Sequence, residues 1–233
     1  MPTQDERKAD TRRRLLDAAS ELFARRGIDA VSVDAVAAAA DRTSGAVYAH
    51  FGSKHGLLLA LLDDWRTPLV GSVLSAIAHA PDLRSRLHAV AMALIVGPSP
   101  ATVRLLQLEQ ELRLRASRDP AVAEVLAARA GEHRRWLTAG LARWQQAGWV
   151  PSGRPASELA LVFSATVTGL AWEQLTHPGA VDAHAAVRAL AAALGADPLP
   201  TGPPAADTVL ADAVPVDAAP VDTVPVDTAA GRP

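Results

Sequence analysis

A chain of 233 residues that is 49% hydrophobic but only 4% aromatic is long enough to bury a core, and that core must be aliphatic. With no cysteine, a disulfide framework and thiolate metal sites are excluded. The net charge of −2 is unevenly spread: from Asp197 onward six acids face one base, Arg232, which leaves residues 1–196 at +3, a balance that permits a nucleic-acid partner without requiring one.

Residues 1–10 are charged and read as a disordered arm. They lack the apolar stretch of a signal peptide, and no apolar run in the chain approaches the ~20 residues of a membrane helix. The expectation is a cytoplasmic protein without a membrane partner. A first helix starts at Thr11 as N-cap, carries an apolar stripe of Leu15, Leu16, Ala19, Leu22 and Phe23, and stops at Gly27. Ser32 caps a second, short helix with Val33, Val36, Ala37 and Ala40 along one side, and Asp34 suits its positive end. Asp41-Arg42-Thr43 breaks it. A third short helix runs from about Ser44 to Phe51, with Val47 and Phe51 directed at Leu16, Phe23 and Val36. Gly52 ends it, and Ser53 caps a fourth helix that carries Leu57, Leu58, Leu61, Leu62 and Trp65.

Prolines punctuate the remainder, and helices are expected near residues 69–79, 83–96, 101–116, 119–147, 156–175 and 180–194. No segment alternates with period two for long enough to be a strand, so the fold class is all-α. From residue 197 the character changes. PVD recurs at 215–217, 220–222 and 225–227, and proline at that density with no large side chains reads as a disordered acidic tail.

The second and third helices, joined by a tight polar turn, make a helix-turn-helix, whose second member can enter a DNA major groove about 12 Å wide. Its outward face shows Thr43, Ser44, Ala46, Tyr48 and His50: hydroxyls, a phenol and an imidazole that can reach phosphates or base edges, and a methyl suited to thymine. Lys54 adds a cation at a helix start. A core role is the competing reading for Tyr48. His50 and His55, five apart, suit no metal-ligand pair, and nothing calls for a metal or cofactor.

Residues 11–65 resemble the DNA-binding domain of the TetR family of bacterial transcriptional regulators. The resemblance is carried by RRRLLDAASELFARRGIDAVSVDAVAAAADRTSGAVYAHFGSKHGLLLALLDDW, above all by LFARRG, VSVDAVAAAA and GAVYAHFGSK. It implies four segments: the arm 1–10, a helix-turn-helix domain 11–55, a helical ligand-binding and dimerisation domain 56–196, and the tail 197–233. It further implies a homodimer on a palindromic double-stranded operator, released by a small-molecule effector whose identity is open. Carried over by position, Thr43, Ser44, Gly45 and Ala46 face bases. Tyr48, His50 and Lys54 hold phosphates, and Ser32 and Val33 approach the backbone. The chain departs from the family pattern in its turn, where Ala40-Asp41-Arg42-Thr43 replaces A-G-V-S. Arg42 either swings its guanidinium to DNA or marks a different turn. Ser44 stands where Lys or Arg is common, which shifts the expected readout toward phosphates and DNA shape.

In the segment 156–175 two stripes stand out, Ala160-Ser164-Thr168-Ala171 and Leu159-Phe163-Thr166-Leu170. One is expected to meet the core and the other a partner subunit, in a four-helix arrangement with the last helix. Trp65, Leu106, Gln110, Trp136, Phe163, Thr166 and Trp172 are the candidate pocket residues, while Glu109, Glu111, Arg113 and Arg115 read as a solvated, paired face. Enzyme motifs are missing: no P-loop, G-x-S-x-G, H-E-x-x-H or dinucleotide turn. The reading is therefore a ligand-responsive transcriptional regulator, a repressor by expectation. The alternative is an architectural or partner-recruiting DNA-binding protein on the same fold without effector control.

Overall fold

A computed structural model describes residues 3–197 and Leu199. The PVD repeats lie outside the described residues, which form helices and no strand. In chain order these are α1 Gln4–Arg26, α2 Val33–Ala39, α3 Ser44–Phe51, α4 Lys54–Ala78, α5 Leu83–Ala91, α6 Pro100–Ala116, α7 Pro120–Gln146, α8 Ala156–Thr176 and α9 Ala183–Ala193. A π-helical turn, Met92–Val96, continues α5 and closes with the Gly97 amide on the Met92 carbonyl at 3.1 Å. Among the described residues no single helix is long and apolar enough to cross a membrane.

The chain divides into two compact units, the first ending at Asp64 and the second beginning at Trp65. The boundary thus falls inside α4 rather than between residues 55 and 56, because Leu57, Leu58, Leu61 and Leu62 are all buried in the core that α1 to α3 share. Leu15, Ala19, Val31, Val36 and Val47 complete this aliphatic interior. In the second unit a larger core gathers Leu83, Leu87 and Ile95 with Leu159, Phe163, Leu190 and Leu194, and Leu199 packs on it from beyond α9.

Three expectations need correction. Residues 4–10 of the expected disordered arm are helical: α1 begins at Gln4, with Thr3 and not Thr11 as its cap. Thr3 Oγ1 accepts from the Glu6 amide at 3.2 Å and Glu6 Oε2 accepts from the Thr3 amide at 2.6 Å, a reciprocal capping box supported by acids in the first turn. Asp10 then pairs with Arg13 and Arg14 along the helix. Second, α4 runs through Pro68 without ending. Proline there costs about 3 kcal/mol of helix stability, which the apolar burial on either side of it offsets, by Leu58 and Leu61 before it and Val73 and Ile77 after it. Third, the two stripes of α8 do not divide between core and partner. Ala160 and Ala171 from one, Leu159 and Phe163 from the other, are all buried within the chain. The stripes are neighbouring parts of one broad inward face. The face left outward is Leu161, Ala165 and Gly169, of which Leu161 is 55% exposed.

Candidate nucleic-acid interface

The reading element is α3, and its orientation follows from one buried residue and one turn. Val47 is fully buried and pins the helix to α1 and α2. The turn before it is a Schellman closure of α2: the Arg42 amide bonds the Ala37 carbonyl at 2.9 Å and the Asp41 amide the Ala38 carbonyl at 3.1 Å. This closure requires a left-handed residue, and Asp41 supplies it at φ 54°, the one non-glycine residue with positive φ among those described. Aspartate tolerates that conformation better than most side chains. The departure from the family's glycine therefore leaves the turn regular. The regular turn excludes the different turn as the reading of Arg42, whose guanidinium in the free protein folds back to the Asp41 carbonyl at 2.7 Å.

Tyr48 stands out on the resulting surface. It is 54% exposed, and its hydroxyl has no hydrogen-bond partner among the described residues, so the core reading fails. Thr43 caps α3 without using its hydroxyl in a side-chain cap, and both it and Gly45 are exposed, while Ala46 is half-buried. Ser44 is tied down: its hydroxyl donates to the Asp34 carboxylate on α2. Ser32 caps α2, its Oγ accepting from the Ala35 amide at 3.1 Å, with Val33 half-buried beside it.

His50 and Phe51 close the helix. Phe51 is half-buried and carries the Arg12 guanidinium 4.9 Å from its ring centre. The imidazole of His50 titrates below its ordinary value, first because it is partly buried and then because Lys8 and Arg12 lie near. The expected disorder of residues 1–10 left Lys8 out of the site, and its place in α1 brings a second cation, beside Arg12, to the end of α3. A neutral His50 at pH 7 would gain a proton as a phosphate approached. DNA affinity is therefore expected to rise as pH falls from 7 toward 6, and His50→Gln to flatten that rise; a pH series of DNA titrations checks both.

Lys54 has an unforeseen task. Its ammonium donates to the Ile28 carbonyl at 2.7 Å, tying the start of α4 to the loop after α1. Lys54→Ala should lower the stability of the first unit by about 1 kcal/mol, since it removes a part-buried hydrogen bond and leaves the Ile28 carbonyl only the longer bond from the Val31 amide at 3.4 Å. A urea titration shows the loss; an unchanged midpoint would leave Lys54 only its expected phosphate contact.

The candidate pocket residues lie in the second unit without a common cavity described around them. Phe163 belongs to the buried core and Leu106 packs against it. Trp65 faces the Arg104 guanidinium, Trp136 is exposed and stacked with His133, and the Thr166 hydroxyl donates to the Val162 carbonyl. Gln110 and Trp172 are half-buried. A depression of about 400 Å³ at Trp149 and Gly195 includes none of the seven, nor does one of about 540 Å³ along α7. Glu109 is not on a solvated face. It is half-buried, and burial raises its carboxyl above the usual range against the opposing pull of Arg113 and Arg66.

The family described as bacterial regulatory proteins, tetR family, matches residues 15–61. The transcriptional repressor KstR2 of Rhodococcus jostii is 37% identical over 83 residues, 36% of this chain and 41% of KstR2. The chain spans less than half the length of the curated relatives it matches. A TetR-family transcriptional regulator from Rhodococcus sp. superposes with a TM-score of 0.65 at 23% identity, over 81% of this chain and 96% of that one. SmeT, the repressor of a Stenotrophomonas maltophilia multidrug efflux pump, in complex with triclosan gives 0.61 at 22% identity, over 80% and 90%. At such identities the structural likeness speaks for the fold.

Proposed function

We propose that the chain belongs to the TetR family of bacterial transcriptional regulators, whose family model matches residues 15–61, and that it is a cytoplasmic repressor that binds a palindromic operator as a homodimer and leaves it when a small molecule binds the helical domain. The observation that carries the DNA reading is Tyr48: a large, exposed phenol whose hydroxyl has no partner among the described residues, on the second helix of a helix-turn-helix whose Val47 is buried in the core. Around it Thr43, Gly45 and Ala46 offer a small, flat approach to base edges, while Lys8, Arg12 and His50 supply charge and donors at one end of the helix. Long side chains are scarce at the base-facing positions, so phosphate contacts and DNA shape carry more of the readout than direct base recognition.

The outward face of α8, with Leu161, Ala165 and Gly169, suits a second copy of the chain, because small residues let helices approach closely. A dimer places two copies of α3 in successive major grooves, about one helical turn apart.

Effector control is the part of the proposal that separates it from an architectural DNA-binding protein on the same fold. SmeT holds triclosan, and an apolar or aromatic effector is the corresponding proposal for this chain. A thermal-shift screen against such compounds is the direct test, since a ligand at a hundred times its Kd raises native stability by about 2.7 kcal/mol. Compounds that raise the midpoint should release the protein from DNA. Binders that leave the DNA complex intact would favour the architectural role.

A further inference from the structure

Between the second half of α7 and the first turn of α8 lies a groove of about 540 Å³, lined by Gly131, Arg134, Arg135, Thr138, Ala142 and Ser157 together with Ala139. Most of its lining is small side chains, and among the described residues no carboxylate lines it. Arg134 and Arg135 are both exposed, and neither has an ion-pair or hydrogen-bond partner among the described residues, whereas Arg13, Arg14, Arg25 and Arg154 each hold a neighbouring acid. Two adjacent guanidiniums without counter-charge are a place for an anionic chain to sit.

The distribution of charge says which chain. Residues 1–64 hold nine Lys and Arg against ten Asp and Glu, so the basic surplus of the folded part lies in residues 65–196, with thirteen against nine. Residues 200–233 hold five acids and one base. Those acids are Asp207, Asp212, Asp217, Asp222 and Asp227, one every five residues, with small apolar Val, Ala and Pro between them. The composition fits a shallow groove with two cations and a floor of Gly and Ala: carboxylates for the arginines, small apolar groups for the floor. At 3.3–3.6 Å per residue a segment of this length reaches roughly 110 Å from the end of the folded domain, well beyond the roughly 40 Å of a 27-residue helix such as α7. Tethering holds the segment at an effective concentration of order mM, so individually weak ion pairs suffice. The repeat offers the same acid in five registers.

We propose that the groove at Arg134 and Arg135 is the docking site for the chain's own aspartate-repeat segment, residues 207–227. The docking is electrostatic, intramolecular and independent of DNA.

The absence of cysteine makes the test clean in the full-length protein: Ala218→Cys creates a single site for a fluorophore. At low salt the label should tumble slowly. Its anisotropy should fall to one common lower value under three conditions: about 1 M salt, where the screening length is ~3 Å; the pair Arg134→Glu with Arg135→Glu; and the triple change Asp217→Asn, Asp222→Asn and Asp227→Asn. The last lies outside the folded core and controls for damage to α7. The anisotropy should not depend on protein concentration. Equal anisotropy in the parent and in either charge variant overturns the proposal. So does a rise with protein concentration, which would place the segment on a second copy.

Discussion

Replacing Gly56 with alanine is expected to cost the first unit about 3 kcal/mol, the scale of a severe overpacking defect, and to take DNA binding with it. Gly56 sits in the first turn of α4, where its amide donates to Ser53 Oγ at 3.0 Å. A Cβ at this position would lie 1.9 Å from the Phe51 carbonyl oxygen and 3.0 Å from its carbon. Both are backbone atoms, so no side-chain rotation relieves the clash. The last turn of α3 or the first of α4 must move, and Tyr48, His50 and Lys54 move with them. Alanine's better helix propensity returns only about 1 kcal/mol, so the clash wins. Gly71, in the same helix, is the control: a Cβ there meets nothing within 4 Å, and Gly71→Ala should be neutral or stabilising by about 0.5–1 kcal/mol. Urea titrations of the two variants read the contrast directly. Equal midpoints would mean that the close approach of α4 to Phe51 is not a constraint.

The second large effect falls on function alone. Tyr48→Ala should lower DNA affinity by about tenfold on every sequence tried, because it removes a backbone-positioning contact and not a base contact. The same change should leave the thermal midpoint alone, since the ring is exposed and its hydroxyl has no partner among the described residues. Ser44 is expected to behave differently. Its hydroxyl is held by Asp34, so Ser44→Ala both frees that carboxylate and alters the surface next to the base-facing residues, changing preference among operator sequences more than overall affinity. A competition titration with two operators of different sequence separates these outcomes. A midpoint shift in Tyr48→Ala would assign the ring a packing role.

What the sequence made legible was local chemistry. Ser32, Gly27 and Ser53 are end signals whose partners lie within a few residues, and each caps or stops a helix as its type requires. Asp41 is of the same kind: one left-handed residue closes α2 within six positions. The burial of Val47 followed from its place one turn before Phe51 on a short helix. What stayed hidden depended on residues far apart in the chain. Lys54 meets the carbonyl of a residue 26 positions earlier, and Ser44 meets Asp34 across the turn. Nothing in a list of residue types announces a lysine satisfied by a backbone carbonyl. The start of α1 was a different failure: the charged run MPTQDERKAD looks frayed by composition, yet Thr3 and Glu6 carry the capping-box spacing that overrides it. Missing that cap also concealed Lys8, whose place beside His50 exists only when the helix is extended. In the second unit, apolar periodicity located the helices but not the face that α8 leaves outward, because two adjoining stripes are buried together.

The central claim, that α3 presents Tyr48 to DNA as half of a two-fold pair, is tested most directly by titrating the full chain onto a labelled fragment from its own upstream region across a salt series. The expected result is saturation at two chains per site, affinity falling steeply and log-linearly between about 50 and 200 mM salt, and a uniform loss in Tyr48→Ala. No retardation at low salt, or binding that Tyr48→Ala leaves untouched, would contradict it.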